Sequence, residues 1–382
     1  MKKGTRLIHS GSETSDQTGA VSTPIYQSVV FAQTDATTYG QWVYSRNGNP
    51  TRAILEKTIA DLEGGESGFA FSSGMASISV SLLLFGVGDH IIMSRDVYGG
   101  TYRIGQELLP RYGIEVGFVD AADIKQIEGS TRPNTKALYF ETPSNPLMKI
   151  TDLRRTAAWA QEHGIITICD NTFMSPYLQR PLASGIDIVV HSATKYLGGH
   201  SDCLAGLVVT SNKELAERVK FMQSTLGAVL GPQDSWLIMR GIKTLKVRME
   251  QQQCTAALLA EWLGTQPGIA EVIYPGLPGH PGRDIHLSQA DGFGGMLAFR
   301  LKDGETARRF VNGLRLITIA SSLGGVESLV SIPSAISHSS LTGEQGQQAG
   351  VTPELVRISV GLEDPEDLKA DISQALQSIR GT

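Results

Sequence analysis

The stretch HSATKYLGGHSD, His191 to Asp202, sets one lysine, Lys195, among small polar residues directly after the apolar run IDIVV. A lysine that follows a buried strand stands near a sheet end, the edge at which α/β proteins place their ligands. Desolvation there would lower its proton affinity and fit it to form a Schiff base with a carbonyl. Ser192 and Thr194 add two hydroxyl donors beside it. A solvated loop lysine is the other reading, and this stretch alone leaves both open.

Four further stretches hold residues suited to chemistry. FSSGMAS, Phe71–Ser77, reads as strand, turn and helix. The first amides of that helix lack internal partners and carry the positive end of its dipole, which suits a phosphate. Gly74 would let an anion approach the backbone, while Ser73 could equally be an ordinary N-cap. TICDNTF places Asp170 at a strand end, where a carboxylate either caps its loop or faces a buried cation. DVYGGTY offers the Tyr98 ring beside two glycines, for packing or for stacking on a flat ligand. LVRISVG buries Arg357 in an apolar strand, where it needs a carboxylate, structural or from a substrate. In addition, YSRNGNP supplies Tyr44 and Arg46, a hydroxyl and a guanidinium fit for a phosphate or simply for solvent.

Together these residues form the set that pyridoxal 5'-phosphate requires. The phosphate needs donors, the pyridine nitrogen needs a carboxylate, and the aldehyde needs a lysine. An amino-acid substrate then needs an arginine for its carboxylate.

The surrounding sequence supplies elements able to position them. Residues 1–50 are polar and weakly periodic and read as an extended arm that must lie on its own domain or on a neighbouring subunit. From residue 51 to about 245, short apolar runs (GFAF, HIIM, EVGFV, ALYFE, IITICD, IDIVV, AGLVV) alternate with helical patterns. That is the signature of a mainly parallel sheet covered on both faces. A helical stretch at 231–263 leads into residues 246–382, where GMLAFRL, LITIAS and LVRISVG read as strands of a smaller α+β domain. SHSSLTGEQGQQAGVTPE reads as a polar loop.

Bulk properties exclude several classes. The net charge of −5 provides no basic face for nucleic acid. No apolar run is long enough to span a bilayer. The N-terminal MKKGTRLIHSGSE has no apolar core, so no secretory signal is expected. Three scattered cysteines, Cys169, Cys203 and Cys254, fit a reduced cytoplasmic protein. No metal-ligand spacing is present, and no metal is expected.

Ordered along the whole chain, GAVSTPIYQS, YSRNGNPTR, FSSGMAS, DVYGGTY, ETPSNP, DNTF, HSATKYLGGHSD, GPQDSWLIMRGIKTL, SLGGVESL and VRISVGLED resemble one family. It is the Cys/Met-metabolism group of pyridoxal-phosphate enzymes, with the fold type I (aspartate aminotransferase-like) architecture. Its members include cystathionine γ- and β-lyases, cystathionine γ-synthases and methionine γ-lyases. The resemblance implies that Lys195 holds the cofactor aldehyde and shuttles the α-proton. It implies that Asp170 faces the pyridine nitrogen and that Tyr98 stacks on the ring. Ser73, Gly74, Met75, Ser192 and Thr194 would hold the phosphate, with Tyr44 and Arg46 reaching it from a neighbouring subunit in a homotetramer made of two dimers. Arg357, Asn145 and Ser322 would bind the substrate α-carboxylate.

The activity implied is a carbon–sulfur lyase cleaving L-cystathionine, with γ-elimination ranked before β-elimination. The alternative is a γ-replacement synthase using an O-acylhomoserine. A methionine γ-lyase and a non-catalytic cofactor-binding protein rank lower. Ser321 stands where many γ-lyases and γ-synthases carry a glutamate toward the distal amino group of cystathionine. The stretch GGTYRIGQELLP lacks the cysteine usual in methionine γ-lyases.

Overall fold

The computed structural model describes residues 1–11, 19–336 and 343–380. Its larger sheet contains β1 (Ser67–Phe71), β2 (His90–Ser94), β3 (Glu115–Val119), β4 (Thr135–Glu141), β5 (Ile166–Asp170), β6 (Ile188–Ser192) and β7 (Gly206–Thr210). The strand order is β1-β7-β6-β5-β4-β2-β3. Neighbours are parallel except at β7, which runs against both β1 and β6. Strands β2 and β7 are buried along their whole length, which is why their centres, Ile91–Met93 and Leu207–Val209, are continuously apolar instead of alternating.

The order reverses between β2 and β4. From β2 the chain moves outward to β3, and from β4 it moves the other way to β5 and β6. The crevice beyond the carboxyl ends of β2 and β4 is therefore the topological switch point, where open α/β sheets bind ligands. Tyr98 follows β2 and Glu141 closes β4.

Local signals account for the helices that flank this edge. Asn49 caps Pro50–Glu63 by accepting from the Thr51 and Arg52 amides, and Gly64 ends the helix in the left-handed conformation. Ser73 caps Gly74–Leu82 in the same way through the Ala76 amide.

A second sheet contains β8 (Glu271–Ile273), β9 (Met296–Arg300), β10 (Thr318–Ile319), β11 (Leu329–Ser331) and β12 (Leu355–Ser359), in the order β10-β11-β12-β9-β8. It is antiparallel except for the β10–β11 pair. Helix Leu245–Leu263 serves both sheets. Leu245 and Met249 join a core with Leu207 and Val209 of β7, and Leu259 and Leu263 join one with Phe299 of β9.

Several local expectations need correction. The helical stretch at 231–263 is two helices, Pro232–Lys243 and Leu245–Leu263. The buried Arg248 guanidinium takes the Gly241 and Tyr196 carbonyls, both at 2.7 Å, and so ties the break to the lysine loop. Helix Lys213–Leu226, capped by Asn212, has no counterpart in the sequence reading. Strands β8 and β11 are three residues each, too short to show a period. In the polar loop expected after Ile336, residues 337–342 lie outside the described residues, and Gly343–Ala349 is helical.

The arm is not extended from its start. Lys3–His9 is a helix that buries Leu7 and pairs Lys3 with Asp291 and Arg6 with Asp61. Beyond residue 19 the arm is open: Val21, Val30 and Tyr39 are 87%, 69% and 67% exposed. Among the described residues no helix is long and apolar enough to cross a membrane.

Candidate active site

The carboxyl edge of the larger sheet gathers most of the residues singled out by sequence. Asp170 ends β5, Ser192 ends β6, Ser73 follows β1, and Thr194 and Lys195 follow β6. Gly206, at the start of β7, pairs with both Phe71 and Ser192, so the turns after β1 and β6 lie side by side.

One end of this edge is rich in free donors. Among the described residues, nothing accepts from the Gly74 and Met75 amides, and the Ser73 hydroxyl accepts from the Ala76 amide at 3.1 Å, which leaves its own proton free to donate. A Cβ placed on Gly74 would lie 2.7 Å from the Ser192 hydroxyl oxygen, a separation no real side chain accepts. Glycine is thus what lets the helix N-terminus and Ser192 share one small space. The Ser192 amide donates to the Thr172 hydroxyl at 2.8 Å, and among the described residues the Ser192 hydroxyl makes no hydrogen bond. Thr194 is less free, since its hydroxyl accepts from the Ala205 amide at 3.0 Å and donates to the Ala205 carbonyl at 3.3 Å.

The middle of the edge is acidic and dry. The Asp170 carboxylate accepts from the Thr172 amide at 2.9 Å and from the Tyr139 hydroxyl at 3.3 Å. Burial raises its pKa and outweighs the Thr172 bonds, which pull it down. It forms no ion pair with a described residue, so a cation brought to this spot would find an uncompensated carboxylate. Glu141 is its register neighbour on β4. Tyr98, by contrast, is 42% exposed at the start of helix Gly99–Arg103, its ring accessible over the crevice.

Cationic groups stand where the turn after β6 meets β12 of the second sheet. The Lys195 amine donates to the Ser322 hydroxyl at 2.7 Å. Arg357, at the centre of β12, donates to the Asn145 side-chain oxygen at 2.9 Å and to the Ser322 carbonyl at 3.1 Å. Its Nε is buried with no partner, and among the described residues no carboxylate pairs with it. Burial lowers its pKa to about 10. Burial, followed by the charge of Arg357, lowers the Lys195 pKa to about 8. Ser322 adopts φ +103°, in a region that side chains avoid. Gly324, at φ +76°, lies so close to Tyr196 that a Cβ would sit 2.7 Å from its amide nitrogen. This segment, between β10 and β11 of the second sheet, is therefore folded tightly onto the lysine loop.

Three predicted residues stand apart. Tyr44 and Arg46 are exposed on the arm, the guanidinium 5.8 Å from the tyrosine ring and bonded to the Ser224 carbonyl at 2.7 Å. Neither hydrogen-bonds to Ser73, Ser192 or Lys195. Ser321 is exposed beside Ser322 and makes no hydrogen bond among the described residues.

Sequence reasoning missed several supports. Besides Glu141, Tyr139 and Thr172, buried Asp96 accepts from the Ser144 hydroxyl at 2.6 Å and so fastens the segment that carries Asn145. Glu63 joins the His191 ring at 2.6 Å and the Asn171 amide at 2.9 Å behind the edge. The strand ends ALYFE and TICD carried a signal for the carboxylates, because adjacent apolar strands that both finish in an acid point both acids to one edge.

The donors, the unpaired carboxylate and the desolvated amine fit a phosphorylated, cationic aromatic aldehyde. Comparison with known proteins agrees. The model of the Cys/Met metabolism PLP-dependent enzymes matches residues 4–377. Cystathionine gamma-lyase of Bacillus subtilis (strain 168) is 52% identical over 99% of this chain and all of its own length. Cystathionine beta-lyase of Lactococcus lactis subsp. cremoris (strain MG1363) is 51% identical over 98% of each chain. The crystal structure of cystathionine gamma-lyase from Lactobacillus plantarum, complexed with L-serine, superposes with a TM-score of 0.96 at 46% identity over 100% of both chains. This chain therefore belongs to the Cys/Met metabolism family of pyridoxal-phosphate-dependent enzymes, with an α/β fold of type I.

Proposed function

We propose that the enzyme is a carbon–sulfur lyase that cleaves L-cystathionine, by γ-elimination ahead of β-elimination. The observation that carries this reading is the chain of contacts Lys195–Ser322–Arg357–Asn145, an amine and a guanidinium bridged by one serine. It sets a proton acceptor next to a seat for an α-carboxylate.

When bound, the cofactor supplies an aldehyde that an amine can join and a cationic ring that stabilises negative charge at the substrate Cα. Ser73, Gly74, Met75 and Ser192 would hold its phosphate, with Thr194 joining them once its hydroxyl turns from the Ala205 carbonyl; Asp170 would hold its ring nitrogen, Tyr98 its ring face and Lys195 its aldehyde. Arg357 and Asn145 fix the substrate carboxylate, which turns Cα toward the Lys195 side of the crevice. With a pKa of about 8, Lys195 is partly unprotonated near neutrality and takes the Cα proton as a general base. Ser322 holds the lysine Nζ in place for that transfer. For the γ route that proton must first be passed on, so that the freed amine can remove a second one at Cβ, after which sulfur leaves Cγ and takes up a proton as a thiol. Release from Cβ needs only the first.

Tyr44 and Arg46 reach the phosphate of a neighbouring subunit, in a homotetramer built of two dimers. The exposed apolar residues of the arm support that reading. The exposed Ser321 leaves space for the distal end of cystathionine without a carboxylate to grip it. Three cysteines with no disulfide fit the cytoplasm.

The test is incubation of the enzyme with L-cystathionine and identification of the products by mass. Cysteine, 2-oxobutyrate and ammonia are expected from the γ route, and homocysteine, pyruvate and ammonia from the β route. Neither set, or a requirement for a second amino acid, would overturn the lyase reading.

A further inference from the structure

Glu141 has no role in the reading above, yet it is buried at the centre of the site. It closes β4, and its carboxylate accepts from the Tyr98 amide at 2.8 Å. In register it lies beside Asp170 on β5. The charged groups that act on it are Asp170 from β5, Asp96 from the loop after β2, and Arg357 from β12. Two of the three are acids.

We propose that Glu141 is a positioning residue that fixes the Tyr98 ring through its amide and leaves the negative charge of the site to Asp170. This rests on the assignment of Tyr98 and Asp170 to the cofactor ring. The geometry supports the division of labour. Asp170 has the Thr172 amide and the Tyr139 hydroxyl to hold a charge, whereas Glu141 has the Tyr98 amide among the described residues. Adjacent buried carboxyls do not both ionise without a large electrostatic cost, so the one with fewer donors keeps its proton. Burial, and then the charge of Asp170, push Glu141 well above the usual carboxylate range. A protonated Glu141 still accepts from the Tyr98 amide through its carbonyl oxygen. Tyr98 precedes a five-residue helix and is 42% exposed, so this bond from its amide ties it to the sheet.

The test compares Glu141→Ala, Glu141→Gln and Glu141→Asp in the holoenzyme. The readouts are cofactor content, visible circular dichroism of the bound cofactor, thermal midpoint and the pH profile of kcat. Glu141→Ala should lower kcat about tenfold and weaken the visible dichroic band, because a buried amide loses its acceptor. Glu141→Gln, a neutral isostere, should restore most of both with an unshifted pH profile. Glu141→Asp is one methylene too short for the Tyr98 amide and should behave like alanine even if the alanine variant fails to fold.

A glutamine variant as impaired as alanine would show that charge matters and would overturn the proposal. So would an alanine variant with full dichroism and kcat, or an aspartate variant with normal dichroism. Loss of thermal midpoint with an unchanged band would mark Glu141 as merely structural. Because cofactor content is read separately, a wrong assignment of the cofactor site would appear as full-strength dichroism that Tyr98→Ala also leaves unchanged.

Discussion

Arg357 and Arg46 carry the same group in opposite settings. Arg357 is 3% exposed, held by Asn145 and by the Ser322 carbonyl, and it lowers the pKa of a lysine next to it. Arg46 is exposed on the arm, with one hydrogen bond, to a backbone carbonyl. A buried guanidinium is costly to desolvate and stays only where the fold fixes its partners. An exposed one keeps its hydration and its freedom, and contributes little until something covers it. The sheet edge is thus a half-site ordered within one chain, whereas the arm leaves Arg46 away from it, free for the role in a second copy that is proposed above.

The largest effect on this contrast should come from Lys195→Ala. The ordered half-site then loses its amine, and turnover should fall by more than about a thousandfold. Borohydride reduction followed by mass analysis should find no cofactor attached to the chain, and attachment elsewhere would remove Lys195 from its role. Arg357→Ala comes next. It should raise KM for the amino acid about a hundredfold with a smaller change in kcat, as expected for loss of a buried charge partner. An unchanged KM would move the carboxylate seat elsewhere.

Arg46→Ala should be milder, about a tenfold loss of cofactor affinity, and its defect should be repaired in trans. When Arg46→Ala and Lys195→Ala chains are mixed and allowed to exchange, intact sites form from one chain's arm and the other's sheet edge. Recovery of on the order of a quarter of normal activity is expected. No recovery would place Arg46 in its own chain's site.

The smallest effect concerns pH. The Lys195 pKa of about 8 lies below the usual lysine range, so its amine is the free base above that pH. In the cofactor-free protein, reductive labelling of Lys195 by a small aldehyde should rise through a midpoint near about 8. Arg357→Gln removes a neighbouring positive charge and should move that midpoint upward. A downward shift would contradict the coupling of the two cations.

Much of this was legible from residue order. Asp170, Ser192 and Lys195 were placed correctly because apolar runs buried on both faces end where polarity returns, and those ends define one edge. Glu141 was harder to read. Its importance comes from lying beside Asp170 and beneath the Tyr98 amide, and the sequence separates it from Tyr98 by the whole of β3. The break at Thr244 was invisible because the helical period continues across it, and only Arg248, reaching the Gly241 and Tyr196 carbonyls, reveals its use.

The sequence by itself determined the longer apolar strands, the helices capped by Ser73 and at Pro50–Glu63, the chemistry of the set and the family. It did so because burial, capping and motif spacing are written within short windows. The tertiary structure decided which groups touch. It brought Ser322 and Arg357, from the region of the second sheet, onto Lys195 and left Tyr44 and Arg46 facing outward. Contacts between residues more than a hundred positions apart depend on how whole layers pack, and no local pattern encodes that.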